Sequence, residues 1–271
     1  MRPAQTHALP LVQSLRSSGV ALLATLSVLL IAHPAHAADE EIQVYMDDMS
    51  QAGHFGLDVH ANYVVDGNGA PDYAGEQSPL HRLRLTPEFA YGLTDNIELG
   101  MYLPLADVDS HGKLSADGVK FRIKYITPEK PGQSWFSGLN LEVGQVGRKL
   151  DANPYNGELK GILGKRSGPW TVAVNLNLDF KISGPESAPA TLEIATRVTR
   201  KIGRNLTIGL ENYNGMGPVS SLGHFAANDQ AAYLVADSRL GKWDLELGLG
   251  AGYGASRDHT IVKAIIGVPF D

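Results

Sequence analysis

Apolar residues recur at every second position along most of the chain. Between residues 88 and 105, Phe89, Tyr91, Ile97, Leu99, Met101, Leu103 and Leu105 share one parity. Glu88, Ala90, Asn96, Glu98, Gly100 and Tyr102 share the other. An extended backbone sends successive side chains to opposite faces, so this stretch predicts a hairpin with one apolar and one polar face. Twelve such runs are predicted: 54–65, 81–91, 96–105, 118–126, 135–144, 156–165, 169–180, 191–202, 206–213, 230–240, 243–254 and 260–270. The cleanest sets Trp170, Val172, Val174, Leu176, Leu178 and Phe180 against Asn175, Asn177 and Asp179, whereas 156–165 is weaker and 230–240 ambiguous in phase.

The connections alternate in length. Those at 92–95, 127–134, 166–168, 203–205 and 241–242 are mostly short and rich in Gly, Asn, Asp or Pro. Those at 66–80, 106–117, 145–155, 181–190 and 214–229 are long and polar, with 255–259 the shortest of that set. This predicts an up-and-down meander with loops at one end and turns at the other. With the apolar face turned inward, twelve strands would enclose a wide lumen of Leu, Val and Ile that something must fill. With that face in lipid nothing need fill it, and closure removes every sheet edge. The expected fold is therefore all-β: a transmembrane antiparallel barrel of about twelve strands over 53–271. Trp135, Trp170 and Trp243 each follow a short turn and carry the apolar parity, which predicts an aromatic girdle at one interface. Phe270 has the same parity one residue before the chain end, near the position of the terminal aromatic of outer-membrane barrels.

The first 37 residues follow a different pattern. Arg2 and Arg16 precede an apolar run at 20–32, and Ala35-His36-Ala37 offers a small-x-small site, so a signal peptide cleaved after Ala37 is expected. Its removal takes 23 basic residues to 21 against 29 acidic ones, a net charge of −8 that argues against nucleic acid. The chain contains no cysteine, so no disulfide holds it. The acidic stretch 38–52 precedes the first run, and two readings stand for it: a solvated periplasmic tail, or a plug in the barrel mouth.

The segments EIQVYMDDMSQAGHFGLDVHANYV (41–64), LTPEFAYGLTDNIELGMYLPL (85–105) and WDLELGLGAGYG (243–254) resemble a family of Gram-negative outer-membrane proteins, grouped with "MetA-pathway of phenol degradation" or transporter-like barrels. The resemblance implies an outer-membrane barrel with a role in moving aromatic or other small compounds, and it brings no catalytic residues.

On the polar face, Arg82, Arg84, Lys120, Arg122 and Lys124 flank Glu98, with Glu88 beside them. Around the remaining wall run Glu142, Glu158, Asp179, Glu193, Glu211, Asp244 and Glu246, with Lys160, Arg197 and Lys263 among them. A basic arc facing an acidic one would set a transverse field across a water-filled lumen, and these charges are the expected pore lining. The competing arrangement pairs them across the interior and closes it. His54, Asp58 and His60 share the inner face of the first run, and His111, His224, His259, Asp107, Asp109, Asp229 and Asp258 lie in or beside the loops. No inward serine accompanies the histidines, so neither catalysis nor a metal site is expected, and no cofactor. Gly248, Gly250, Gly252 and Gly254 fall at strand spacing on the inner wall, where strong bending is the expected reason. The expected partners are outer-membrane lipid, the barrel-assembly machinery and a small solute. The expected function is passive passage of small, aromatic or weakly polar solutes. A closed structural or loop-binding barrel is the alternative, and an outer-membrane hydrolase a third.

Overall fold

The computed structural model describes residues 41–108 and 115–269. The signal peptide, residues 38–40 of the leader, Asp109, His111, Phe270 and Asp271 lie outside the described residues. The barrel wall contains fourteen strand segments: β1 (Phe55–Gly67), β2 (Leu83–Thr94), β3 (Ile97–Tyr102), β4 (Leu105–Val108), β5 (Ser115–Ala116), β6 (Gly118–Ile126), β7 (Trp135–Val146), β8 (Tyr155–Ser167), β9 (Trp170–Ser183), β10 (Thr191–Lys201), β11 (Leu206–Pro218), β12 (Asp229–Leu240), β13 (Trp243–Gly254) and β14 (Asp258–Val268). They make twelve staves, because β3 with β4 and β5 with β6 are each one stave interrupted once.

The first interruption falls at Leu103-Pro104, where proline has no N–H to give to a ladder. Every neighbouring pair is antiparallel, and the wall closes where β1 pairs with both β2 and β14. Phe55 stands opposite Tyr91 at the turn end of the seam, and Leu57 opposite Val268. Closure of this kind leaves no edge strand.

Alternation decides which residues face which medium. Leu99, Ile123, Leu139, Leu141, Leu176, Leu210, Leu234, Leu247 and Leu249 stand on the outer surface and are exposed. Their sequence neighbours Glu98, Lys124, Asn140, Asn175, Asn177, Glu211 and Tyr233 point inward and are buried. The phase left open for 230–240 resolves with Tyr233 and Val235 inside and Leu234 outside. Short turns lie at one end and long loops at the other, as the spacing predicts.

Two of the inner-wall glycines also serve packing: a Cβ on Gly248 would lie 2.7 Å from Lys263 Cγ, and one on Gly250 would meet the Tyr233 ring. They are small so that a large inward side chain on an adjacent strand can lie across them. Phe136 and Gly164, cross-strand partners on β7 and β8, repeat the device. Asp244, on the parity of Glu246, stands exposed at the turn-end rim, paired with Arg239 at 2.8 Å.

The loops are tied to one another at the far end. Arg148 donates to Ala74 O at 3.1 Å and pairs with Glu186, and Arg257 pairs with Asp72. Gln77 N donates to Lys149 O at 3.0 Å. Burial beside Glu76 and Asp151 pushes the Tyr73 hydroxyl in this loop layer upward from its ordinary pKa.

Candidate functional site: the lumen and its N-terminal segment

The inward face collects the charged and amide side chains of all twelve staves in a space closed to lipid. A buried charge without a partner is costly, so these groups must find one another. They do so in two clusters.

The first centres on Arg122 of β6. It donates to Glu88 Oε1 of β2 through Nε at 2.7 Å and pairs with Glu98 of β3 at 2.7 Å. His60 Nε2 lies 3.0 Å from Glu88 Oε2. The second centres on Arg197 of β10, which engages Glu211, Asp237 at 2.6 Å and Glu246 at 2.6 Å. Lys263 of β14 joins it, 2.6 Å from Glu211 and 2.7 Å from Glu246. Between the clusters, Lys160 pairs with Glu158 at 3.0 Å, Asn140 donates to Glu142 at 2.8 Å, and Asn177 to Glu193 at 2.9 Å.

The sequence-derived lining is therefore brought together, but not as two opposed arcs. Arg122 and Arg197 each sit among carboxylates of their own sector of the wall, so the transverse field is neutralised locally. Arg84 is buried and reaches Gln77 O at 3.4 Å, while Arg82, Lys120 and Asp179 are half-buried and each has a partner. Trp135, Trp170 and Trp243 stand exposed on the outer wall at the first residues of β7, β9 and β13. Lys165 lies 4.8 Å from the Trp135 ring and Arg200 5.4 Å from that of Trp170.

The feature that alternation left undecided lies in residues 41–52. This segment enters the lumen from the turn end and does not trail into solvent. Gly53 N donates to Gly92 O at 2.7 Å at the rim, and Ala52 bridges Gly92. Asp47 is held by both terminal nitrogens of Arg166, at 2.6 and 2.5 Å. Ser50 N donates to Glu98 Oε2 at 2.5 Å, and Lys124 Nζ to Asp48 O at 2.6 Å. Deeper in, Tyr45 N donates to Asn175 Oδ1 at 2.6 Å and Asn175 Nδ2 returns a bond to Tyr45 O at 2.9 Å. Ile42 O accepts from Lys263 Nζ at 2.9 Å.

Tyr45 is the anchor. Its hydroxyl meets those of Tyr102 and the Glu142 carboxylate, and its ring lies 4.0 Å from Lys160 Nζ and 5.0 Å from Lys124 Nζ. Ammonium groups over an aromatic face are held by the ring quadrupole, at about 0.5–2 kcal/mol each. Ile42, Val44 and Tyr45 pack with Val64, Phe136, Ile162, Tyr213 and Tyr233 in the apolar cluster inside the barrel.

Sequence reasoning missed Tyr45, Tyr102, Asn175 and Tyr233 as site residues. The available signal was an aromatic at an inward position: Tyr102 carries the parity of Glu98.

No family model and no curated protein matches the chain. Solved structures do. The COG4313 outer membrane channel from Pseudomonas putida F1 is similar over 85% of this chain and 100% of its own, with a TM-score of 0.56 at 13% identity. The KdgM porin is similar over 80% and 99%, at 0.53 and 11%, and the NanC porin over 79% and 99%, at 0.53 and 12%. At these identities the likeness is one of fold: a closed twelve-stave barrel of the outer-membrane type.

Proposed function

We propose that the protein is an outer-membrane channel for small solutes whose lumen is closed, at rest, by its own residues 41–52. One observation carries the reading: the lumen holds an extended peptide against a polar, charge-lined wall. Eight-stranded barrels are filled by wall side chains alone. A barrel that accommodates a further strand of chain has, once that strand leaves, a wetted passage about one extended peptide wide. Each hydrogen bond holding the segment contributes about 1 kcal/mol net, so it is held far more weakly than the wall's continuous ladders.

The exposed apolar belt and the outward tryptophans support a bilayer as the surrounding medium, with the Trp residues as an interfacial girdle. Export by a cleaved signal peptide and insertion by the barrel-assembly machinery belong to this reading. Aromatic or weakly polar cargo rests on the resemblance of segments 41–64, 85–105 and 243–254. The inward rings of Tyr102, Tyr213 and Tyr233 would offer such solutes a stacking surface. The second ion-pair cluster favours a second reading, a permanently closed barrel, since it joins β10 with β13 and β11 with β14, staves that do not pair with each other.

Conductance separates the two. In planar bilayers the full chain is expected to open rarely, and a variant lacking residues 41–52 to conduct continuously. A deletion variant that is folded yet silent would overturn the channel reading.

A further inference from the structure

Three potential metal ligands meet at the junction of the N-terminal segment and the wall. One donor atom each from Glu41 of the segment, His60 of β1 and Glu88 of β2 lie within 4.8 Å of one another. His60 and Glu88 are 1% and 4% exposed. Two polar atoms at this place, Glu41 Oε1 and His60 Nδ1, are buried without a hydrogen-bond partner. That is unusual, since a buried unpaired acceptor costs about 1–3 kcal/mol. The Arg122 guanidinium holds Glu88 by Oε1, at 2.7 Å from Nε, which leaves Oε2 toward His60.

Glu41 lies within electrostatic reach of Glu88, Glu142 and Lys160, and Asp58 of Glu88, Glu98 and Arg122. Two carboxylates with one imidazole form a mixed oxygen–nitrogen set. Such a set suits a first-row divalent transition ion, with remaining positions for water, while Mg²⁺ and Ca²⁺ prefer oxygen alone. Bonds of about 2.1 Å in tetrahedral array would place the donors about 3.4 Å apart.

We propose that Glu41, His60 and Glu88 bind a divalent transition ion that fastens the N-terminal segment to the barrel wall. The inference rests on the reading of residues 41–52 as a displaceable closure, and it makes that closure metal-dependent.

The test uses the full chain in detergent, stripped of metal, with Zn²⁺ as the probe and Mg²⁺ as the control. Calorimetric titration is expected to show one Zn²⁺ per chain, weakened at least tenfold in both Glu41→Gln and His60→Gln. Glu41 lies outside the wall, so Glu41→Gln leaves the barrel intact, and the heat-dependent gel mobility of folded barrels checks this for both variants. The chain has no native cysteine, so a spin label at Asp48→Cys reports on the segment alone. Zn²⁺ is expected to immobilise it in the otherwise native chain and not when Glu41→Gln is added. No stoichiometric binding, or equal binding by both variants, as an ion on the loop histidines would give, overturns the site. Weakening by His60→Gln but not by Glu41→Gln overturns the bridge. None of these readouts uses conductance, so failure of the metal site and failure of the channel reading are told apart.

Discussion

Lys263 has no exposed surface, and its ammonium serves three acceptors: Glu211, Glu246 and the Ile42 carbonyl. Removing one member of a buried ion cluster leaves the others charged and unpaired, at a cost of about 3–5 kcal/mol. Lys263→Met is therefore expected to lower the unfolding free energy of the barrel in lipid vesicles, measured by urea titration, by about that amount. Lys263→Arg is expected to retain much of the loss. Glycine positions make an opposite kind of claim, about volume. A Cβ at Gly164 would occupy the place of the Phe136 ring, so Gly164→Ala is expected to cost about 1–3 kcal/mol, recovered in the double variant with Phe136→Leu. Thermal unfolding of the two variants side by side checks it. A bending role for Gly164 would leave the second substitution without effect. Neither Lys263 nor Gly164 was legible as special in the sequence, because the role of each depends on a neighbour in the barrel: Glu211 on β11 for one, Phe136 on β7 for the other.

Among the elements, the strands and the N-terminal segment are stabilised by different means. A stave is held on both sides by ladders of backbone bonds, and its outward residues need only be compatible with lipid. Leu141, near the middle of β7, faces outward and is exposed. An arginine there, Leu141→Arg, is expected to cost about 2–4 kcal/mol in a bilayer and much less at Trp135 near the interface. Unfolding measured in vesicles at both positions checks the depth dependence. The segment 41–52 has no continuous ladder and depends on side chains: Asn175, Lys124, Glu98, Arg166 and the Tyr45 pocket. Tyr45→Ala removes its buried aromatic anchor in the lumen. Channel openings in planar bilayers are expected to become more frequent, with wall stability unchanged. Stability falling along with closure would mean that the segment is part of the wall's own core.

For the whole molecule, the outer surface carries the main physical argument. A chain with this many exposed Leu, Ile, Val and Trp side chains on a closed wall would aggregate in water, since apolar surface of that extent seeks cover. The three tryptophans are the only ones in the chain, which makes fluorescence a direct gauge of where the wall sits in the bilayer. Lipids carrying a quencher near the headgroup are expected to reduce the emission more than lipids quenched at the bilayer centre. The reverse order would put all three Trp residues at mid-membrane and remove the girdle. The same outer surface explains why the fold was legible. Period two needs no knowledge of partners, and the alternation of short and long connections ranks the strand ends without any contact being known.

What the sequence determined by itself was what depends on local geometry: twelve staves, the inward and outward faces of all but 230–240, and the end at which the tryptophans lie. An extended backbone imposes these whatever it is packed against. The tertiary structure decided how the inward residues combine. Arg122 finds Glu88 and Glu98 and not an opposite arc, because ion pairing in a closed space depends on stave order and register, and on desolvation that no spacing records. The acidic leader enters the lumen for the same reason. Alternation in residues 41–52 is confined to 41–46, too short to make a stave, and only the assembled wall, with Asn175 and Lys263 in position, provides the partners that hold the segment there.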